Sequence, residues 1–405
     1  MSEPLIVAGN GMAATRFVDE LMRRALGRYS VLVIGAEPRL SYNRVLLPSL
    51  LAGEVGEDAI ELKTREWWRA RGVTTLDGMT VAAIDRASRS VTLANGIRFS
   101  YSKLVLATGS EPARLPVPGM NLKYVLTFRD LADAGAIRAL MRKGARAAVI
   151  GGGLLGIEAA SGLCKAGVHV TLVHLMDRLM ERQLDYRAAH FLKRSLEAKG
   201  IEVLLNAETV RVLGEDSAAG LELAGGRKLA ADFVVCAVGI RPSVKLATDA
   251  GLEVNRGIIV GESLATSDPN IFALGECAEH KNTVYGLVEP AYEQARVLAR
   301  RLAGDESAAY TGSTLAANLK VSGVQLFSAG EFMEKPSSDV LTFEDEGAAS
   351  YKKLVIEDGK LTGAVLFGDA EDALWYLDLI RSGADVSQFR GVLAFGPALV
   401  LPQAA

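Results

Sequence analysis

The stretch Val149 to Ala160 reads VIGGGLLGIEAA. An apolar run enters Gly151, Gly153 and Gly156 in the spacing G-x-G-x-x-G, and helix-forming residues follow. In a βαβ unit the first glycine makes a tight turn, the second lets the backbone approach a pyrophosphate, and the third lets helix and strand pack closely. The phosphate then lies on exposed N–H groups at the positive end of the helix. The same grammar occurs at Leu5 to Ala14, LIVAGNGMAA, with Gly9, Gly11 and Ala14 in the corresponding places. Two such openings predict two dinucleotide sites on one chain.

Working outward, Leu5–Ala8 and Ser30–Ile34 are short apolar runs that flank a helical segment from Ala13 to Arg24, a βαβ opening. Val81–Asp85 and Ser90–Leu93 read as a hairpin, and Leu104–Ala107 as a strand ending in Thr108-Gly109. PARLPVPGM, from Pro112, reads as a linker. The second unit continues through a helix at Leu155–Ala166 and a strand at Val168–Val173, with further strands at Glu202–Leu205, Leu221–Leu223 and Phe233–Ala237. Beyond Gly257 come strand, turn and strand, then a helix at Glu289–Leu302 with Pro290 in its first turn. From Thr311 the pattern alternates strands and turns, with Asp358-Gly359 as a hairpin signal and a helix at Glu371–Ile380.

The expected fold class is therefore α/β, with two Rossmann-like dinucleotide-binding domains and a small C-terminal α/β domain. The boundaries fall at 1–115 with 245–310 for the first domain, 116–244 for the second and 311–405 for the third. At 405 residues the chain exceeds the size at which a single core stops growing. A formal charge of −3 gives no global field for nucleic acid or anionic lipid. No apolar run reaches the roughly eighteen residues that span a bilayer, and MSEPLIVAGNG has no signal-peptide pattern, so a cytoplasmic location is expected. The three cysteines, Cys164, Cys236 and Cys277, are far apart and form no C-x-x-C. That spacing argues against a disulfide framework, a zinc site, an iron–sulfur cluster or a dithiol centre within these residues.

Each unit also carries a polar residue after its second strand. Glu37 can accept hydrogen bonds from the 2′- and 3′-hydroxyls of a ribose. In the second unit the matching place holds His174. A neutral imidazole there can bond a ribose hydroxyl, and a protonated one beside Arg178 can meet a 2′-phosphate, which leaves NADH and NADPH both open.

Taken with LVLATGS at Leu104, A-V-G-I-R-P at Ala237 to Pro242 and T-S-D-P-N-I-F-A-L-G-E at Thr266 to Glu276, these motifs resemble those of the two-dinucleotide-binding flavoprotein reductases, the pyridine nucleotide-disulfide oxidoreductase superfamily. Within it, EPRLSYNRVLLPSLLAGE at Glu37, HLMDRLMERQLD at His174 and ALGECAEHKNTVYGLVEPAYEQA at Ala273 are most similar to the flavin portion of assimilatory nitrite reductase large subunits. The resemblance implies FAD on the first unit, NADH or NADPH as substrate on the second, and a C-terminal interface domain. It implies Gly9, Gly11, Ala14, Glu37, Arg44, Thr108, Gly109, Gly275 and Glu276 around FAD, and Gly151, Gly153, Gly156, His174 and Gly239 around the nicotinamide cofactor. The Pro290 helix would aim its N-terminus at the flavin pyrimidine edge. Glu158 is either near the flavin–nicotinamide junction or a structural acid.

Two departures bear on the chemistry. Nitrite reductase large subunits continue into iron–sulfur and sirohaem-binding regions, and the residues up to Ala405 hold no such pattern. Related NADH oxidases, peroxidases and coenzyme A disulfide reductases carry a redox cysteine where this chain has SYNRVLLPS. The expected function is thus hydride transfer from NAD(P)H to FAD and onward delivery to a separate acceptor. That acceptor is an iron–sulfur or other redox protein, such as a nitrate or nitrite reductase subunit. A rubredoxin or ferredoxin of another pathway is the alternative acceptor, and a flavin-bound redox sensor or binding module is the alternative class. No acid–base catalytic triad and no metal are expected, and the oligomeric state stays open.

Overall fold

The computed structural model describes residues 2–321 and 323–400. The described residues divide into two compact units, one of residues up to 112 with 240–313 and the other of residues 113–239 with those from 314 to 400.

The first unit is organised by β1 (Glu3–Ala8), α1 (Met12–Arg24) and β2 (Tyr29–Gly35). Its five-stranded sheet runs in the order Ile271–Ala273, Lys103–Leu106, β1, β2 and Thr74–Asp77, all parallel. Val7 pairs with Val33 on one side and Val105 on the other, and all three are buried. A strand covered on both faces reads as the continuous apolar run seen in LIVA rather than as an alternation. Helix α1 turns Phe17, Val18 and Leu21 inward and places Arg23 and Arg24 in its last turn, against the negative helix end. The helix Val288–Leu302 packs on α1 and hides Ala295, Leu298 and Ala299. The expected hairpin at 81–93 is present and continues into a third antiparallel strand, Arg98–Ser100. Trp68 is buried in a short helix edge-on to Trp67, a packing role.

The second unit repeats the plan. Strand β3 (Arg146–Ile150), α2 (Leu154–Lys165) and β4 (His169–Val173) stand in the order Glu202–Leu204, β4, β3, Phe233–Cys236 and Val125–Thr127, again parallel. The outermost strand, Val125–Thr127, precedes β3 in the chain, whereas its counterpart Ile271–Ala273 comes last in the first sheet, so the duplication covers four strands and leaves out that one rim. The unit also holds a three-stranded antiparallel sheet of Thr209–Gly214, Ala218–Leu223 and Lys228–Ala230.

Residues from 316 onward in the same unit form a five-stranded antiparallel sheet in the order 316–321, 324–330, 360–367, 350–357 and 339–345. Phe327, Leu354 and Leu366 pack beneath Tyr376 of the helix Ala373–Ser382. That helix starts two residues later than its sequence pattern suggests and runs on to Ser382, where Gly383 caps it. Asp185 links this sheet to the nucleotide half. It caps the helix Tyr186–Ala198 through the Ala188 N–H at 3.0 Å and accepts the Tyr351 hydroxyl at 2.7 Å, with Lys353 Nζ at 3.5 Å. Burial and the Asp185 carboxylate push the Tyr351 phenol above its usual range.

At the turn from β3 into α2, a Cβ on Gly156 would stand 1.9 Å from Gly151 O. Because Gly156 lies inside the helix, the restriction there is one of space. Gly156→Ala should lower the unfolding free energy by roughly 1–3 kcal/mol, the usual cost of overpacking, and urea denaturation of the variant beside the native protein measures it.

Candidate nucleotide sites

In each unit the site starts where the central strand ends. Gly9 has φ +114°, donates its N–H to Ile34 O at 2.8 Å, and lies so close to Ala107 that a Cβ would meet the carbonyl oxygen at 2.1 Å. Gly151 repeats this, with φ +114°, its N–H on Val173 O at 2.8 Å, and a Cβ position 2.2 Å from Ala237 O. Two residues on, Gly11 and Gly153 cap α1 and α2 with extended backbone and no capping side chain. Among the described residues, nothing beyond the adjoining residues of the chain lies within 4 Å of where either Cβ would be. Open space before uncapped helix N–H groups is what a pyrophosphate requires, so both cradles fit a dinucleotide. Ala14 fills the third place of the first unit with a buried methyl, and Gly156 fills that of the second.

Around the first cradle, Glu37 is held by two partners. Tyr42 donates its hydroxyl to Oε2 at 2.7 Å, and Arg44 donates to Oε1 at 2.6 Å. Asn10 in the glycine loop donates to Arg39 O at 2.9 Å. Thr108 donates its hydroxyl to Ser243 O at 2.7 Å, and the Ser243 N–H bonds Gly109 O at 2.9 Å. Gly275 opens the turn after Ile271–Ala273, and its N–H reaches Gln294 Oε1 at 2.7 Å. Glu276 accepts the Ser110 hydroxyl at 2.7 Å. Pro290 sits buried in the first turn of the helix that carries Gln294. Tyr42, Ser110 and Gln294 lie within the motifs quoted above, but the motifs alone assign them no role. Tyr42 alone had a local signal, five residues after Glu37.

Around the second cradle, His174 is buried, with Nδ1 accepting the Gly152 N–H at 3.0 Å and Nε2 facing Glu181 Oε2 at 3.2 Å. Arg178 is occupied by Leu184 O at 3.3 Å, Glu181 O at 3.2 Å and Asp177 Oδ1 at 3.2 Å, and it stacks on Tyr186. Gly239 receives the Ala113 N–H on its carbonyl at 2.9 Å and has open space around its Cβ position. Glu158, on the first turns of α2, makes no hydrogen bond or ion pair among the described residues, and burial pushes its carboxyl up to about 8. Burial likewise raises the Cys236 and Cys277 thiols. Cys277 donates to Leu106 O at 3.5 Å and Cys236 to Ala113 O at 3.7 Å, and both pack as core residues. Among the described residues no group of three His, Cys, Asp or Glu side chains is placed to hold a metal ion, and no helix is long and apolar enough to cross a membrane.

Twin cradles on twin parallel sheets define the class, and the chain belongs to the pyridine nucleotide-disulphide oxidoreductase family, whose model matches residues 3–295. Residues 316–384 match the C-terminal domain of rubredoxin NAD+ reductase. The chain is 43% identical over 385 residues to nitrite reductase [NAD(P)H] of Bacillus subtilis, covering 95% of this chain and 48% of that protein. It is 42% identical to the assimilatory nitrate reductase electron transfer subunit of the same organism, covering 95% of this chain and 50% of that protein. The chain thus spans about half the length of the curated relatives it matches. A ferredoxin reductase from Rhodopseudomonas palustris has the same fold, with a TM-score of 0.87 at 27% identity over 97% of this chain and 100% of that one. Membership of the family makes the chain an oxidoreductase and implies FAD and NAD(P)H as its cofactors.

The two open cradles give separable outcomes. Gly11→Val should fold and yet purify without FAD, because the branched side chain fills the phosphate space. Gly153→Val should keep FAD and lose bleaching by NADH. Absorbance at the flavin band before and after anaerobic NADH reads both.

Glu158 predicts a pH effect. A carboxyl raised in the folded state favours the fold fully below the ordinary carboxylate range, and that contribution is lost as pH rises toward about 8. Glu158→Gln should match the native stability near pH 4 and exceed it by roughly 1–3 kcal/mol near pH 9, as measured by urea unfolding at both pH values without added nucleotide.

Proposed function

We propose that this protein takes hydride from NADH or NADPH onto FAD and hands the electrons to a separate redox protein of nitrate or nitrite assimilation in the cytoplasm. The observation that carries the reading is the pair of cradles, each a positive-φ glycine followed by an open, uncapped helix start. One dinucleotide site would suit a dehydrogenase; two suit a relay between a soluble hydride donor and a bound flavin.

FAD, when bound, would supply the chemistry of accepting one hydride, with its electron pair, and releasing the two electrons one at a time. The protein's part is to bind and orient. Gly11 and Gly153 present helix N–H groups to the two pyrophosphates. Glu37, fixed by Tyr42 and Arg44, holds the flavin's adenosine ribose. Gln294 pins Gly275, so that the turn carrying Glu276 meets the cofactor already formed. Pro290 lies in the first turn of the helix whose positive end would face the flavin's pyrimidine edge. Glu158, Gly239 and Arg178 border the pyridine nucleotide. The buried thiols offer no thiolate for disulfide or peroxide chemistry.

The acceptor assignment draws on the nitrite and nitrate reductase relatives. A second reading gives the acceptor as a rubredoxin or ferredoxin and is supported by the match over residues 316–384. Anaerobic NADH should bleach the bound flavin, and ferricyanide should sustain turnover. This polypeptide with NADH and nitrite alone should consume no nitrite, whereas an added iron–sulfur nitrate or nitrite reductase protein should restore anion loss. Sustained nitrite consumption by the isolated, metal-free chain would sink the division of labour. Restoration by a rubredoxin but by no assimilatory reductase would favour the second reading.

A further inference from the structure

The turn that leads into the outermost strand of the second nucleotide sheet holds a residue ill suited to it. Val125 donates its N–H to Leu122 O at 3.3 Å, and the third residue of that turn, Tyr124, has φ +64°. Turns of this kind place glycine or asparagine there, because a bulky L side chain is strained at positive φ. No core packing compensates, since Tyr124 is 46% exposed. Strain held at a residue that does not pack is a pointer to function, and Tyr124 forms one wall of a cavity of about 440 Å³.

Arg146 starts β3 and Phe233 starts the strand beside it, and both line the cavity, which therefore lies at the amino ends of these parallel strands. The glycine cradle lies past Ile150 at their carboxyl ends, roughly 15 Å away at about 3.3 Å per residue. A dinucleotide in the cradle does not reach it. The volume is in the range of about 300–1,000 Å³ usual for small-molecule sites, and it exists because Ala218, Ala219 and Ala231 stand where larger side chains would fill it. Phe233, itself buried, adds apolar surface.

Arg142 and Arg146 supply the charge. Each guanidinium stands 3.9 Å from the Asp232 carboxylate, too far for a hydrogen bond, and neither donates one among the described residues. Asp232 is instead held by the Arg146 backbone N–H at 2.8 Å. Two cations against one carboxylate leave a single positive charge and two forks of unspent donors, the arrangement that receives a carboxylate in bidentate fashion.

We propose that this cavity binds a planar aromatic monocarboxylate, with the carboxylate on Arg142 and Arg146 and the ring against Tyr124. The site is separate from the electron-transfer machinery and does not depend on that reading.

Titration calorimetry of 2-naphthoate on the FAD-loaded protein tests it. Binding should be one-to-one. The neutral 2-naphthalenemethanol, which lacks the charge, and cyclohexanecarboxylate, which lacks the ring, should each bind roughly tenfold more weakly or worse. Arg142→Ala and Arg146→Ala should each weaken 2-naphthoate by a similar factor, with FAD content and bleaching by NADH unchanged. Tyr124→Gly separates ligand contact from folding: it relieves the positive φ, so Tm should hold, while 2-naphthoate binding weakens. Absence of binding by the native protein, equal binding of the neutral alcohol, or undiminished binding in the two arginine variants would overturn the assignment. Loss of binding in Tyr124→Gly together with a lower Tm would mark the ring as a packing element and overturn its part in the site.

Discussion

A carbonyl oxygen decides the geometry of each nucleotide half. Ala107 O and Ala237 O lie within 2.2 Å of where a side chain on Gly9 or Gly151 would begin, at a φ of +114° that L side chains avoid. Only glycine lets the central strand turn there and deliver the next helix end-on above the sheet. The open space at Gly11 and Gly153, the uncapped N–H groups and the position of Glu37 or His174 at the neighbouring strand end all follow from that turn. The two units then diverge at the third place. The first accommodates the Ala14 methyl, whereas the second brings Gly156 against Gly151 O, leaving no room for one.

Much of this was legible in the sequence because it is local. Strand, glycine turn and helix lie within about a dozen residues of one another, and LIVAGNGMAA and VIGGGLLGIEAA each contain the whole instruction. The smaller sheets were less legible. Val81–Asp85 and Ser90–Leu93 showed as a hairpin, but Arg98–Ser100 is too short for a periodicity to register. The supporting side chains were not legible at all where partners are distant in sequence. Nothing in the sequence pairs Gln294 with Gly275, or Ser110 with Glu276, until the parallel sheet brings the strand ends together. His174 illustrates a subtler limit. Its place after the second strand is where a ribose contact is expected, but only the fold shows that Gly152 and Glu181 already occupy its two nitrogens.

Polar anchoring extends beyond the cradles. Asp185 is buried, caps a helix of the nucleotide half and receives a hydroxyl from the C-terminal antiparallel sheet, with Lys353 close by. A carboxylate sealed from water is stable only when its lone pairs are met, and here the partners come from segments more than a hundred residues apart. This contact specifies one docking of sheet on helix within that unit, where apolar packing alone would tolerate several.

The first unit is assembled from two separated segments, and this governs how it can be made. A nascent chain that has emerged through residue 112 holds β1, α1, β2 and Lys103–Leu106, but it lacks Ile271–Ala273 and the helix Val288–Leu302 that covers α1. One edge of the sheet and one face of α1 must wait while residues 113–239 are synthesised, a long loop whose closure costs entropy before any native contact rewards it. The early segment thus leaves the ribosome with exposed apolar surface and an unpaired strand edge, the condition in which chains recruit chaperones.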